Sequence, residues 1–134
     1  MRIILETDYF GQVTGKKNSK VIAINPHTGK PFVRMNDLAK KQEREMVDNF
    51  IYDRNFAKLS PDDFVGKRIE VIVEIWNKDR RKHDLDNQIS TILDALVKAK
   101  ILPDDSQETV YKISAEYMGV DKDDPRAAIT IKAA

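Results

Sequence analysis

Asp84, Asp86 and the Asp104-Asp105 pair are the residues whose types and spacing could do chemistry. Asp84 and Asp86 stand two apart where strand-like chain gives way to a helical pattern. At that spacing in extended chain both side chains leave one face and can reach one ion. A helix from Asp86 to Ala99 is about 21 Å long, and the stretch from Lys100 to Asp105 spans about 20 Å when nearly extended. The return is therefore just long enough to bring Asp105 back beside Asp84 and Asp86. Converging carboxylates repel and raise each other's pKa. A divalent cation removes the repulsion, and carboxylate-held Mg2+, with Mn2+ as substitute, is common equipment for phosphodiester hydrolysis.

Composition narrows the choice of ion and nucleophile. The 134-residue chain has no cysteine and two histidines, His27 and His83, which excludes thiolate zinc sites and cysteine nucleophiles. Any metal site rests on oxygen ligands. Hydrophobic residues make up 41% and charged residues 34%, the balance of one soluble globular domain covering residues 1–134. The N-terminus meets Glu6 and Asp8 too early for a secretory leader, and no apolar run has membrane-spanning length. The expectation is cytoplasmic, with no membrane partner.

The net charge of +1 conceals an uneven distribution. From Gly11 to Arg34 there is no acidic residue, while Lys16, Lys17, Lys20, Lys30 and Arg34 are present. A second basic knot, Lys78-Asp79-Arg80-Arg81-Lys82-His83, directly precedes Asp84. Single charge runs are usually solvated loops, but two of them beside a carboxylate cluster suit a polyanion. Lys16, Lys17, Lys20, Arg80, Arg81 and Lys82 are the candidate phosphate contacts.

The carboxylates also have plainer readings. Aspartate is a preferred N-cap, so Asp84 or Asp86 fits a helix cap, and Asp104-Asp105 fits an exposed turn. An EF-hand does not fit, because Ile89 stands where glycine is required and Ala95 where a bidentate glutamate is required. Residue chemistry alone leaves the metal site and the cap-and-turn reading both open. Asp94 borders an apolar stripe and needs a partner, with a structural pair first and an outer-shell role second. Glu74 shares a strand face with Trp76, opposite Val71 and Val73; it is either a sheet-face residue or one directed at the site. Trp76 and Tyr117 are candidates for stacking on bases or for core and rim.

These residues need elements to position them. Met1 to Glu6 reads as a short strand, and Lys20–Asn25 with Phe32–Arg34 as a hairpin around Pro26-His27-Thr28-Gly29. Asn36 or Asp37 caps a helix to about Phe56, with Leu38, Met46, Phe50 and Ile51 among its apolar members. Lys67 to Trp76 alternates as a strand, with Ile69, Val71, Val73 and Ile75 on one face. The helix after Asp86 carries Ile89, Ile92, Leu93, Leu96 and Val97 as its stripe. Thr109–Met118 and Ala127–Lys132 are further strands. The order gives one α+β domain with two helices on a mixed sheet.

Three fragments in register, His83-Asp84-Leu85-Asp86-Asn87, Leu93-Asp94-Ala95-Leu96 and Asp104-Asp105-Ser106-Gln107, resemble the signature of RusA-type Holliday junction resolvases. The resemblance implies a dimeric RusA-like α+β domain that resolves four-way DNA junctions by paired, metal-dependent phosphodiester hydrolysis. It assigns catalysis and metal binding to Asp84, Asp86 and Asp105, leaving Asp104, Asp94, Glu74 and Ser90 secondary. Two positions depart from the family pattern. Ser90 stands where a lysine is common one turn into the helix, and Gln88 replaces an apolar residue. Arg81 or Lys82 is a hypothetical substitute for the lysine. Gly15-Lys16-Lys17-Asn18-Ser19-Lys20 resembles the family's polar N-terminal loop. The alternatives are a nucleic-acid-binding module that cuts weakly or not at all, a metal nuclease for other branched or single-stranded nucleic acid, and a dimeric scaffold with the aspartates as caps.

Overall fold

The computed structural model describes residues 2–15, 20–104 and 106–133, with the backbone alone of Lys20 and Met35. Strand β1 (Arg2–Phe10) precedes a hairpin of β2 (Lys20–Ile24) and β3 (Pro31–Met35). Helix α1 (Asp37–Phe56), strand β4 (Ile69–Asn77), helix α2 (Leu85–Lys98), and strands β5 (Val110–Val120) and β6 (Arg126–Ala133) follow. The sheet order is β1-β6-β4-β5, with β4 and β5 parallel and the other neighbours antiparallel. This is the α+β arrangement expected from the sequence, two helices on a mixed sheet.

One face of the sheet carries the core. Leu5 and Tyr9 of β1, Ile69, Val71, Val73 and Ile75 of β4, and Ala127, Ile129 and Ile131 of β6 are all buried there. Met46 and Phe50 of α1 and Ile92, Ala95 and Leu96 of α2 close over them. The period of two along β4 is complete, inward residues buried and outward ones half-buried, as the sequence implied. β1 runs past the expected Glu6 to Phe10 because Leu5, Thr7 and Tyr9 continue one inward row. Thr7 hid that row from a hydropathy reading; its hydroxyl donates to the Asp53 carboxylate of α1.

The buried stripe of α2 is rotated from the expected one. Gln88, Ile89, Thr91, Ile92, Ala95 and Leu96 face inward, while Leu93 and Val97 lie half-buried at its edge. On α1, Leu38 is exposed at the open end, whereas Met46 and Phe50 are fully enclosed. The helices are tied by the Glu43–Lys98 ion pair and by Arg54, whose Nη1 donates to the Ala99 carbonyl at 2.6 Å. That bond satisfies a carbonyl at the end of α2.

α2 ends in a tight reversal. The Ile101 N–H bonds the Leu96 carbonyl and the Lys100 N–H bonds the Val97 carbonyl, with Lys100 left-handed at φ 58°. Burial of Ile101 and Leu102 compensates for a left-handed residue that is not glycine. The chain then enters β5, where the Ile69 N–H bonds the Thr109 carbonyl at 2.8 Å.

Phe50 fills the contact between α1 and the sheet with no exposed surface. Phe50→Ala should lower unfolding free energy by about 3–5 kcal/mol in urea titrations. A loss below about 1 kcal/mol would contradict this account of the core.

Candidate active site at the entrance of α2

The candidate site lies where β4 ends and α2 begins. Asp84 is the N-cap of α2, with extended backbone (φ −89°, ψ 122°), and its carboxylate makes no capping hydrogen bond. The caps of α1 show the contrast: Asn36 Oδ1 accepts the Ala39 N–H at 2.8 Å. Asp86 follows in the first turn, and both aspartates are exposed. Ser90 and Asp94 continue Asp86's side of the helix at four-residue steps, Ser90 exposed and Asp94 half-buried. Aspartates at a helix N-terminus are favoured by the exposed N–H groups, which offset part of their repulsion.

Buried amides hold this entrance together. Asn77, the last residue of β4, accepts through Oδ1 from Gln12 Nε2 at 2.9 Å and Gln88 Nε2 at 3.0 Å. Gln88 Nε2 also donates to the Val13 carbonyl at 2.9 Å, and Gln12 Oε1 accepts the Lys78 N–H at 2.7 Å. Thr91 Oγ1 donates to the Thr14 carbonyl at 3.0 Å, and Gln42 of α1 receives both the N–H and hydroxyl of Thr14. The 12–15 segment is thus pinned across the start of α2. A Cβ on Gly15 would stand 2.3 Å from Asn87 Nδ2, so any larger residue requires the Asn87 side chain to move.

The basic flanks divide. Arg80, Arg81 and Lys82 are exposed on the loop before Asp84. Asp79 tempers one of them, lying 3.7 Å from Arg81 Nε and accepting the Arg81 N–H. Lys16 and Lys17 lie outside the described residues, and so does the side chain of Lys20. They follow Gly15, which is anchored against Asn87.

Glu74 and Asp104 are not gathered with Asp84 and Asp86. Glu74 lies on the sheet face away from the helices, beside Ala128 and Glu116. Asp104 is engaged in its own turn, accepting the Ser106 N–H at 2.8 Å. Hydrogen bonds from the Ser106 side chain, its backbone N–H and the Thr109 side chain hold the Asp104 carboxyl below the usual carboxylate range. Asp105 lies outside the described residues.

The expected return of Asp105 toward Asp84 falls outside the described residues, and what is described is the course of the chain on either side of it. β4 and β5 are parallel, and Ser106–Thr109 leads into β5 beside Ile69, where β4 starts. Asp84 and Asp86 lie beyond Asn77, where β4 ends. The fourteen residues of α2, about 21 Å, separate those two ends. Among the described residues no three acidic or histidine side chains stand close enough to hold a metal ion. A parallel partner strand requires the chain to start again at the far end of β4.

A sequence reading missed Gln12, Asn77, Gln88 and Thr91 as organisers of the site. The available signal was a glutamine and a threonine at helical spacing within an otherwise apolar stripe. Trp76 is occupied by Arg126, whose guanidinium carbon lies 3.9 Å from the ring centroid. Tyr117 instead remains half-exposed on the helix side of the sheet, in register with Ile75.

The family model described as Endodeoxyribonuclease RusA matches residues 12–132. No curated protein matches the chain. No helix among the described residues is long and apolar enough to cross a membrane.

Gln88→Leu keeps the volume but removes a buried donor shared by Val13 and Asn77. It should destabilise the protein by about 1–3 kcal/mol in chemical denaturation. A neutral substitution would show that Gln12 alone holds the segment.

Proposed function

Because the chain belongs to the RusA family of endodeoxyribonucleases, we propose that it resolves four-way DNA junctions with a divalent cation held by Asp84, Asp86 and Asp105. The observation that carries this reading is the Asp84 carboxylate. It occupies a capping position without capping, exposed beside Asp86. The plainer cap reading leaves that carboxylate without a task.

The donor set fits a hard cation: carboxylate oxygens, no thiolate, and room for water at an exposed helix entrance. Mg2+ is the ion we assign, with Mn2+ as substitute. Such an ion supplies positive charge against phosphate oxygens and lowers the pKa of a bound water. The chain's own residues bind and orient the DNA. Arg80, Arg81 and Lys82, with Lys16, Lys17 and Lys20 from the N-terminal loop, contact the backbone phosphates. The amide network keeps the two loops in register, so the phosphate meets the aspartates in one orientation.

A second copy completes the site in this reading. The residues beside Asp105 lie at the opposite end of α2 from Asp84, so convergence within one chain is unfavourable. A twofold pair can join the Asp84–Asp86 end of each copy to the Asp105 end of the other. Two such sites also suit paired cuts in strands of like polarity.

Ser90 favours a second reading, a junction-binding module with slow cleavage. A serine one turn beyond Asp86 can hydrogen-bond a phosphate but cannot neutralise it. Labelled junction, linear duplex and single strand, each with Mg2+, Mn2+ or EDTA, separate the two. Metal-dependent cleavage of the junction alone should fall at least about 100-fold in Asp86→Asn while binding persists. Tight binding without cleavage in either metal would favour the module, and no affinity at low salt would sink both. Ser90→Lys should raise the cleavage rate; an unchanged or lower rate would remove Ser90 as the weak point.

A further inference from the structure

The loop before α2 lines a cavity of about 350 Å3 that the metal-site reading does not use. Arg80, Arg81, Lys82 and His83 of that loop line it together with Asn77, Leu85, Gln88 and Tyr117. We propose that this cavity receives one unpaired nucleotide of the junction adjacent to the cut, and so determines where along the strand the enzyme cleaves. The inference rests on the junction-nuclease reading and deepens it.

Three features of the lining select a nucleotide over other ligands. The cations supply sites for backbone phosphate, in a space also offered the Tyr117 ring and the Leu85 side chain as flat and apolar surface. His83 Nε2 is buried and has no hydrogen-bond partner among the described residues. A buried polar atom without a partner is costly, and the edge of a base relieves it. Asn77 and Gln88 commit Oδ1 and Nε2 respectively to the amide network. That leaves Nδ2 and Oε1 as the donor and acceptor ends with which these two amides read a base.

The placement relative to Asp84 links the cavity to the cut. His83 and Leu85 both line it, and Asp84 stands between them with extended backbone. In extended chain alternate residues leave opposite sides, so the carboxylate points away from the cavity that its two neighbours line. A strand running over this segment therefore leaves one base in the cavity and the next phosphate at the aspartates. The volume suits a single nucleotide, which leaves its stack to enter. A branch point supplies such a nucleotide at low cost, because pairing and stacking are already interrupted there.

The test uses full-length protein and four-way junctions whose crossover can move over several sequences. 2-Aminopurine replaces one base at a time around the crossover, and fluorescence is read in EDTA, where binding proceeds without cutting. We expect fluorescence to rise at one position only, with wild type and with Tyr117→Phe, which keeps the ring. Tyr117→Ala should lose that rise and, with Mg2+, reduce the share of the preferred cut about five-fold or more. Junction binding with no change at any position would overturn the cavity's role while leaving the nuclease reading intact. A Tyr117→Ala protein that keeps both the signal and the cut pattern would do the same. Absence of junction binding by anisotropy at low salt would overturn both.

Discussion

Parallel pairing of β4 with β5 is the constraint from which the arrangement of the site follows. Two parallel neighbours cannot be joined by a turn, so the chain must be carried back the full length of the strand. α2 is that carrier, and its apolar face is at once the link and the roof of the core. Its N-terminus must then lie where β4 ends, which sets Asp84 and Asp86 at an edge rich in exposed N–H groups. Its C-terminus must lie where β4 begins, which sets the turn from Asp104 to Thr109 at the other end. One connection thus sets Asp84 and Asp86 at one end of α2 and the neighbours of Asp105 at the other.

The amide network solves a separate problem at the same edge. The 12–15 segment is far from α2 in sequence, and a loop there has no ladder to satisfy its backbone groups. Gln42 of α1 and Gln88 and Thr91 of α2 provide that satisfaction, and Gln12 and Gln88 share Asn77 Oδ1 as their acceptor. Burying these side chains is costly unless they are fully paired, which makes the network specific to one loop position. The basic residues that follow Gly15 therefore begin from a defined point beside Asn87. Electrostatic attraction to phosphate is nondirectional, and it is the fixed starting point that turns it into orientation.

Much of the fold was legible because strong periodicity reported it. β4 alternates without interruption, α1 begins at the cap its sequence suggests, and the hairpin of β2 and β3 turns at Gly29, whose left-handed φ of 71° favours glycine. Legibility failed where polar side chains are buried. Thr7 concealed the second half of β1, and Gln88 and Thr91 concealed the true inward line of α2. Asp84 and Asp86 were legible from their type and position at a helix start. The destination of the chain after α2 was not, since segment lengths constrain reach but not direction. Only strand pairing decides that, and pairing partners are not written in local pattern.

In the proposed dimer each cutting site draws Asp84 and Asp86 from one copy and Asp105 from another. Mixing two inactive proteins, Asp86→Asn and Asp105→Asn, under conditions that allow subunits to exchange tests this. If the site is shared, each mixed dimer combines both lesions in one site and restores the other, so metal-dependent nicking of one strand should return on mixing. If all three aspartates act within one chain, every site in the mixture carries a lesion. A mixture as inactive as either variant alone, with exchange verified, would contradict the claim.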